Sequence, residues 1–174
     1  MLAISRAESA ADLTEARDLF REYAQTIGFG LDFQGFDDEI ADLEHAYAPP
    51  RACILIARWH SVPVGCAALR PLAGSTCEMK RMFVRPRLRG LGIGRSLLSV
   101  AQAAAREMGY VKMRLDTVPG MRQAISLYRS AGFTEISAYR FNPISGALFM
   151  ELDLAAGHAA KPDAGSDSET CGRV

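Results

Sequence analysis

The stretch Phe83-Val-Arg-Pro-Arg-Leu-Arg-Gly-Leu-Gly-Ile-Gly-Arg-Ser-Leu-Leu98 decides how the chain is read. It begins as the end of an apolar run, passes through Gly90, Gly92 and Gly94, and opens a helical pattern carried by Leu97, Leu98, Val100, Ala101, Ala104 and Ala105. A strand therefore runs into a glycine-rich turn, and the turn runs straight into a helix. Glycines let backbone N–H groups crowd against a ligand with no side chain in the way. The helix N-terminus adds unpaired donors and a partial positive charge, so the turn reads as an anion site suited to phosphate. A Walker loop would close on Gly-Lys-Ser/Thr, where this turn has Gly94-Arg95-Ser96. A dinucleotide fingerprint fails too: its third glycine falls on Leu97 when counted from Gly92, and on Arg95 when counted from Gly90. The plainer reading is a tight turn whose glycines only permit close packing.

Charge around the turn argues for a ligand. Lys80, Arg81, Arg85, Arg87, Arg89 and Arg95 lie between positions 80 and 95 with no acid among them, in a chain whose 20 Lys and Arg balance 20 Asp and Glu. Such a patch suits a molecule with several phosphate charges. Nucleic acid is the rival ligand, but only Phe83 interleaves the arginines, and the neutral chain is not a general nucleic-acid coat. Hydrophobic residues make up 49% of the chain, enough for a core, and excluding wholesale disorder. The apolar runs are too short to span a membrane. The N-terminus lacks the features of a signal peptide. Cys53, Cys66, Cys77 and Cys171 form no Cys-x-x-Cys pair, and His45, His60 and His158 have no metal-ligand spacing. A reduced, cytoplasmic protein without structural metal is expected.

A length of 174 residues favours one domain. Strands are expected at 2–6, 52–59, 64–69, 77–84, 111–117, 133–137 and 147–154. Helices are expected from Ser9 (as N-cap, with Asp12 three residues on) to Ile27, over 37–47, from the glycine turn to Gly109, and over 120–131. His60-Ser61 reads as a hairpin turn. Strands alternate with helices in the second half, pointing to an α/β layered domain with some parallel pairing. The domain spans 1–154; residues 155–174, rich in Ala, Gly, Ser, Asp and Thr, read as a disordered tail.

The motifs resemble those of the GCN5-related N-acetyltransferase (GNAT) superfamily. Arg89-Gly-Leu-Gly-Ile-Gly94 matches its Arg/Gln-x-x-Gly-x-Gly/Ala motif, and Met82-Phe-Val-Arg-Pro86 looks like the strand and turn before it. Ala124-Ile-Ser-Leu-Tyr-Arg-Ser-Ala-Gly-Phe133 is similar to its A-x-x-x-Tyr-x-x-x-Gly-Phe segment. The runs Cys77–Val84, Leu115–Thr117 and Phe149–Leu154 resemble small bacterial stand-alone members. The resemblance implies a three-layer α/β/α fold with a mixed, mostly antiparallel sheet splayed between strands 4 and 5. It also implies acetyl-CoA as co-substrate, lying in that splay. Backbone groups of Met82, Phe83 and Val84 would pair with the pantetheine arm and thioester. Arg89, Gly90, Leu91, Gly92, Ile93, Gly94, Arg95 and Ser96 would cradle the pyrophosphate.

Amide formation needs a neutral amine, a stabilised thioester oxygen and a stabilised leaving thiolate. Glu78 is the first candidate base, standing 11 residues before Arg89 as does the base of histone-acetylating members. Alternation puts Glu78, Lys80, Met82 and Val84 on one strand face and Cys77, Met79, Arg81 and Phe83 on the other, unless a bulge intervenes. The plainer role is a Glu78–Lys80 pair on a wet face. Asp116 is the second candidate, 12 residues before Tyr128, matching a Glu of some protein N-terminal acetyltransferases; otherwise it is a strand-end Asp bonded to local backbone. Tyr128 sits where the family's general acid approaches the CoA sulfur; otherwise it is a core aromatic beside Phe133. One departure is Met121, where the family often has an Asn touching the cofactor. Cys77 as a nucleophile would give a covalent acyl-enzyme, but no His neighbours it in sequence.

Residues 32–44 hold Asp32, Asp37, Asp38, Glu39, Asp42 and Glu44 with no Lys or Arg, either a lip that steers a cationic amine or a solvated helix face. The expected activity is acetyl transfer from acetyl-CoA to a primary amine of a small molecule or peptide, by direct attack in a ternary complex. The alternative is a non-catalytic acyl-CoA-binding regulatory module. Neither a nucleic-acid nor a membrane partner is expected, and a homodimer would fit the habit of similar proteins.

Overall fold

Ser9 starts the first helix as the sequence predicts. Its hydroxyl accepts from the Asp12 amide at 3.1 Å, and the Asp12 carboxylate accepts from the Ser9 amide at 3.0 Å, a reciprocal capping box. The structure is a computed structural model and describes residues 1–156. Apart from its first two residues, the predicted tail lies outside the described residues.

Among the described residues, seven strands form one sheet: β1 (Leu2–Arg6), β2 (Cys53–Trp59), β3 (Val62–Ala73), β4 (Thr76–Val84), β5 (Lys112–Thr117), β6 (Thr134–Ile136) and β7 (Leu148–Asp153). Their order is β1-β2-β3-β4-β5-β7-β6, and every pairing is antiparallel except β4 with β5. His60 and Ser61 both take positive φ, 49° and 67°, the backbone that a two-residue hairpin turn requires. β3 outruns the predicted 64–69 and continues to Ala73; Pro71 is tolerated because it adjoins a register irregularity.

Helices cover both faces. α1 (Ala10–Thr26) buries Ala16, Leu19 and Phe20 against Ile54, Ile56, Cys66, Ala68 and Phe83, joined by the short helices α2 (Phe36–Ala41) and α3 (Leu43–Ala46). The single helix predicted over 37–47 is split at Asp42, whose carboxylate accepts from the His45 amide and caps α3. On the other face α4 (Ile93–Glu107) and α5 (Arg122–Ser130) pack over Leu55, Ala57, Ala67, Leu69, Cys77 and Met79. The result is the expected three-layer α/β/α arrangement. None of the described helices is long and apolar enough to cross a membrane.

The sheet opens where the sequence reading expects it. β4 pairs with β5 only at Thr76–Lys112, Cys77–Met113 and Glu78–Arg114. Beyond these pairs β4 continues to Val84 and β5 to Thr117 without meeting, leaving a V. A bulge lies on β4 just above the last pair. Cys66 faces Phe83 and Ala68 faces Lys80, so Arg81 and Met82 together oppose the single residue Ala67. Arg81 sits at φ 55°. A bulge bends and twists its strand, carrying the upper half of β4 away from β5. Across from it, a Cβ at Gly65 would stand 2.6 Å from the Phe83 carbonyl oxygen, so only glycine lets β3 close on this bend.

The bulge corrects the simple alternation. Phe83 packs with Cys66 and Ala68 on the α1 face, while Met82 and Val84 pack with Cys77 and Met79 on the α4 face. One inserted residue has flipped every side chain above it.

Candidate active site

The cleft between β4 and β5 is lined by Met79, Lys80, Arg81 and Met82 from β4, Leu115, Asp116 and Thr117 from β5, Tyr128 from α5, and Tyr23, Gln34, Met121 and Arg140 around its rim. The glycine turn follows the upper end of β4, where a Cβ at Gly94 would lie 3.9 Å from Val84 Cγ2 and 4.0 Å from Met82 Cε. Gly90 and Gly92 take φ 85° and 79°, and a Cβ added at either would meet nothing within 4 Å. Arg89 donates back to Pro86 and Ser96 to Gly92, but the amides of Gly90, Leu91, Gly92, Ile93, Gly94 and Arg95 find no acceptor among the described residues. α4 also lacks a side-chain cap. These amides and the open space beside them fit a pyrophosphate. Ile93 faces inward into the core and contributes only its backbone there.

The arginine patch is smaller than the sequence suggests. Arg85 donates to Glu22, and Arg81 donates to Glu39 at 2.9 and 2.7 Å and to Gln34 at 2.8 Å. Arg87, Arg89 and Arg95 stay exposed around the turn. Burial alone would raise the Glu39 carboxyl, but the Arg81 guanidinium, with Lys80 behind it, holds it below the ordinary carboxylate range. Glu39→Leu is expected to cost about 3–5 kcal/mol, because Arg81 is left charged and buried. Urea unfolding measures it; a loss under about 1 kcal/mol would mean the guanidinium finds another acceptor.

Glu78 is wholly buried, and its expected partner Lys80 is not the one it has. Its carboxylate accepts from Arg70 Nε at 3.0 Å and from Tyr139 Oη at 3.0 Å, and ion-pairs with Arg70 (3.0 Å) and Arg140 (2.9 Å). Its acceptor directions are filled. Asp116 accepts from Arg140 Nη2 at 2.6 Å and from Asn142 Nδ2 at 2.8 Å, not from local backbone. The two candidate carboxylates are thus joined through one guanidinium. Tyr139, Arg140 and Asn142 were missed by sequence reasoning: they lie in the irregular link between β6 and β7, where no periodicity or motif marks a residue.

Tyr128 is a core aromatic that also reaches the cleft. Its ring lies 5.7 Å from that of Phe133 in the core, and it also lines the cleft. Burial raises its phenol above the ordinary value, Tyr23 and Asp116 adding to the effect. Met121 lines the cleft too, so the position where the family often has Asn keeps its place but not its amide. Cys77 is fully buried on the α4 face, and burial pushes its thiol up to about 12. Such a thiol is not a nucleophile.

Comparison with known proteins gives the family to which this fold belongs. Residues 13–133 match the Acetyltransferase (GNAT) family. An uncharacterised N-acetyltransferase of Schizosaccharomyces pombe is 38% identical over 156 residues, covering 88% of this chain and 96% of the relative. A GNAT-family acetyltransferase of Staphylococcus aureus superposes with a TM-score of 0.73 at 22% identity, over 88% of this chain and 99% of that one. YncA of Salmonella typhimurium, solved with acetyl-CoA, gives 0.66 at 23% identity, over 94% and 99%. The chain belongs to the GNAT family and is an acyl-CoA-dependent N-acetyltransferase.

Proposed function

We propose that the chain transfers the acetyl group of acetyl-CoA to a primary amine of a small molecule or peptide, by direct attack in a ternary complex. The observation that carries this is the row of partnerless amides from Gly90 to Arg95 past the upper end of β4, which borders the V. Acetyl-CoA supplies an acetyl group activated as a thioester. The amides from Gly90 to Arg95 bind the pyrophosphate, with Arg89 and Ser96 beside them. The β4 edge freed above Glu78, at Met82, Phe83 and Val84, offers main-chain groups to the pantetheine arm.

Asp116 is favoured over Glu78 as the group that takes the amine proton, directly or through water. It lines the cleft and retains acceptor capacity, whereas Glu78 is saturated and acts through Arg140. Tyr128 Oη holds a proton toward the leaving sulfur. Direct attack is supported by the thiols: Cys53, Cys66 and Cys77 are buried, and none lines the cleft.

Acetyl-CoA is expected to raise the melting temperature in a saturable way. Thiol release should then require an added primary amine, with no acetylated protein detected by mass spectrometry. No shift at millimolar acetyl-CoA, in a sample that unfolds cooperatively, would overturn the reading.

A further inference from the structure

Three buried side-chain atoms have no hydrogen-bond partner among the described residues: Lys80 Nζ, Thr117 Oγ1 and Arg140 Nε. All three belong to residues lining the cleft between β4 and β5. Buried polar groups are nearly always paired, because an unmet donor loses its hydration and gains nothing. Three in a single cleft point to a shared partner rather than to scattered packing faults.

The local charges say what that partner is. Around the cleft stand the cations Arg70, Lys80, Arg81 and Arg140 and the carboxylates Glu39, Glu78 and Asp116. Arg81 takes Glu39, Arg70 shares Glu78 with Arg140, and Arg140 takes Asp116. Lys80 is left over, 3.8 Å from a Glu39 oxygen that already accepts from Arg81. Its side chain is 2% exposed. With Lys80 protonated, the cluster lacks one negative charge. Arg140 is held by Glu78 and Asp116 through its terminal nitrogens, and its buried Nε–H has no partner among the described residues. A cation, a guanidinium N–H and a hydroxyl together match the lone pairs of one carboxylate. A phosphate monoester would bring more charge than the cluster lacks.

Resting on the acetyltransferase reading above, we propose that the acceptor is an amine that also carries a carboxylate, an amino acid or a close analogue, with the carboxylate held by Lys80 Nζ, Thr117 Oγ1 and Arg140 Nε. The acidic segment does not oppose this. Asp32, Asp37, Asp38, Asp42 and Glu44 are exposed and line no part of the cleft; only Glu39 turns inward, and Arg81 holds it. A polycationic acceptor would instead meet Lys80, Arg81 and Arg140.

Lys80 offers a readout. Burial, with Arg81 and Arg70 alongside, brings its ammonium down to about 7, against the opposing pull of Glu39 and Glu78. Asp116, Arg140 and Tyr23 also face the cleft. A carboxylate arriving beside Lys80 favours the charged amine, so it draws a proton in at pH 8.

The test uses N-acetyl amino acids, which carry the carboxylate but no titrating amine, against their C-terminal methylamides. Calorimetry is run on the full chain saturated with CoA, at pH 8 in buffers of different ionisation enthalpy. The affinity for acetyl-CoA is measured first; its absence would sink the acetyltransferase reading, not this one. Given CoA binding, the best carboxylates should bind about tenfold or more tightly than their methylamides, with net proton uptake. Lys80→Met should bring the two classes within about twofold and abolish the uptake, while keeping CoA affinity. Should Lys80→Met lose CoA binding through misfolding, Thr117→Val provides the same comparison with a partial loss. Equal affinity of the two classes, or no binding of any carboxylate across the twenty side chains, overturns the proposal.

Discussion

Gly92→Val is expected to weaken acetyl-CoA binding by at least about a hundredfold while leaving the fold largely in place. Gly92 caps α4 at φ 79°, where a β-branched residue is strained by about 1–2 kcal/mol. For a chain of this size such strain lowers the melting temperature by only a few degrees, roughly 2–4 °C per kcal/mol. The larger effect falls on the ligand. A Cβ at Gly92 meets no protein atom within 4 Å, so the valine methyls enter open space beside the partnerless amides. Those amides would otherwise make charge-assisted bonds worth about 1.5–3 kcal/mol each, and losing contact with two of them accounts for the expected drop. Binding of acetyl-CoA and thermal unfolding, measured on the same sample, separate the two contributions. A dissociation constant within about threefold of the parent protein would mean that the turn does not hold the phosphates.

The glycine turn is legible in the sequence because its geometry is written in local backbone chemistry. Strand, glycines and helix start are contiguous, and the partnerless amides follow from their order alone. The splay between β4 and β5 came through the resemblance, and its local cause was hidden. A bulge at Arg81–Met82 leaves no mark on residue type, since Arg81 holds a positive φ without being glycine. The carboxylate network was hidden for another reason. Glu78 and Asp116 were found from their offsets to motifs, but their partners Arg70, Tyr139 and Arg140 converge only through the sheet. Tyr139 lies 61 residues from Glu78 along the chain. The excess of arginines near the turn misled in the same way, because Glu22 and Glu39 come from other elements to pair with two of them.

Tyr128→Phe is expected to lower kcat by about a hundredfold and to leave the dissociation constant of acetyl-CoA within about twofold. The ring packs against Phe133, and phenylalanine keeps that contact, so unfolding should change little. What is removed is one hydroxyl at the cleft wall. Its job is constrained by its acidity. Burial raises the phenol above its ordinary value of about 10, whereas a free thiol loses its proton near 8.5. Each unit of that gap is about 1.4 kcal/mol, so full transfer from Tyr128 to a departing thiolate is uphill. The phenol is better suited to hold a hydrogen bond that strengthens as charge grows on sulfur. Two consequences follow for the pH profile. The group stays protonated up to pH 10 and beyond, so no alkaline fall in kcat within pH 6–9 belongs to it. Any limb in that range must therefore survive unchanged in Tyr128→Phe, only displaced downward. Initial rates of thiol release across pH, for both proteins, decide it. A limb that vanishes with the hydroxyl would make Tyr128 a titrating acid, and an unchanged kcat would leave it a core aromatic alone.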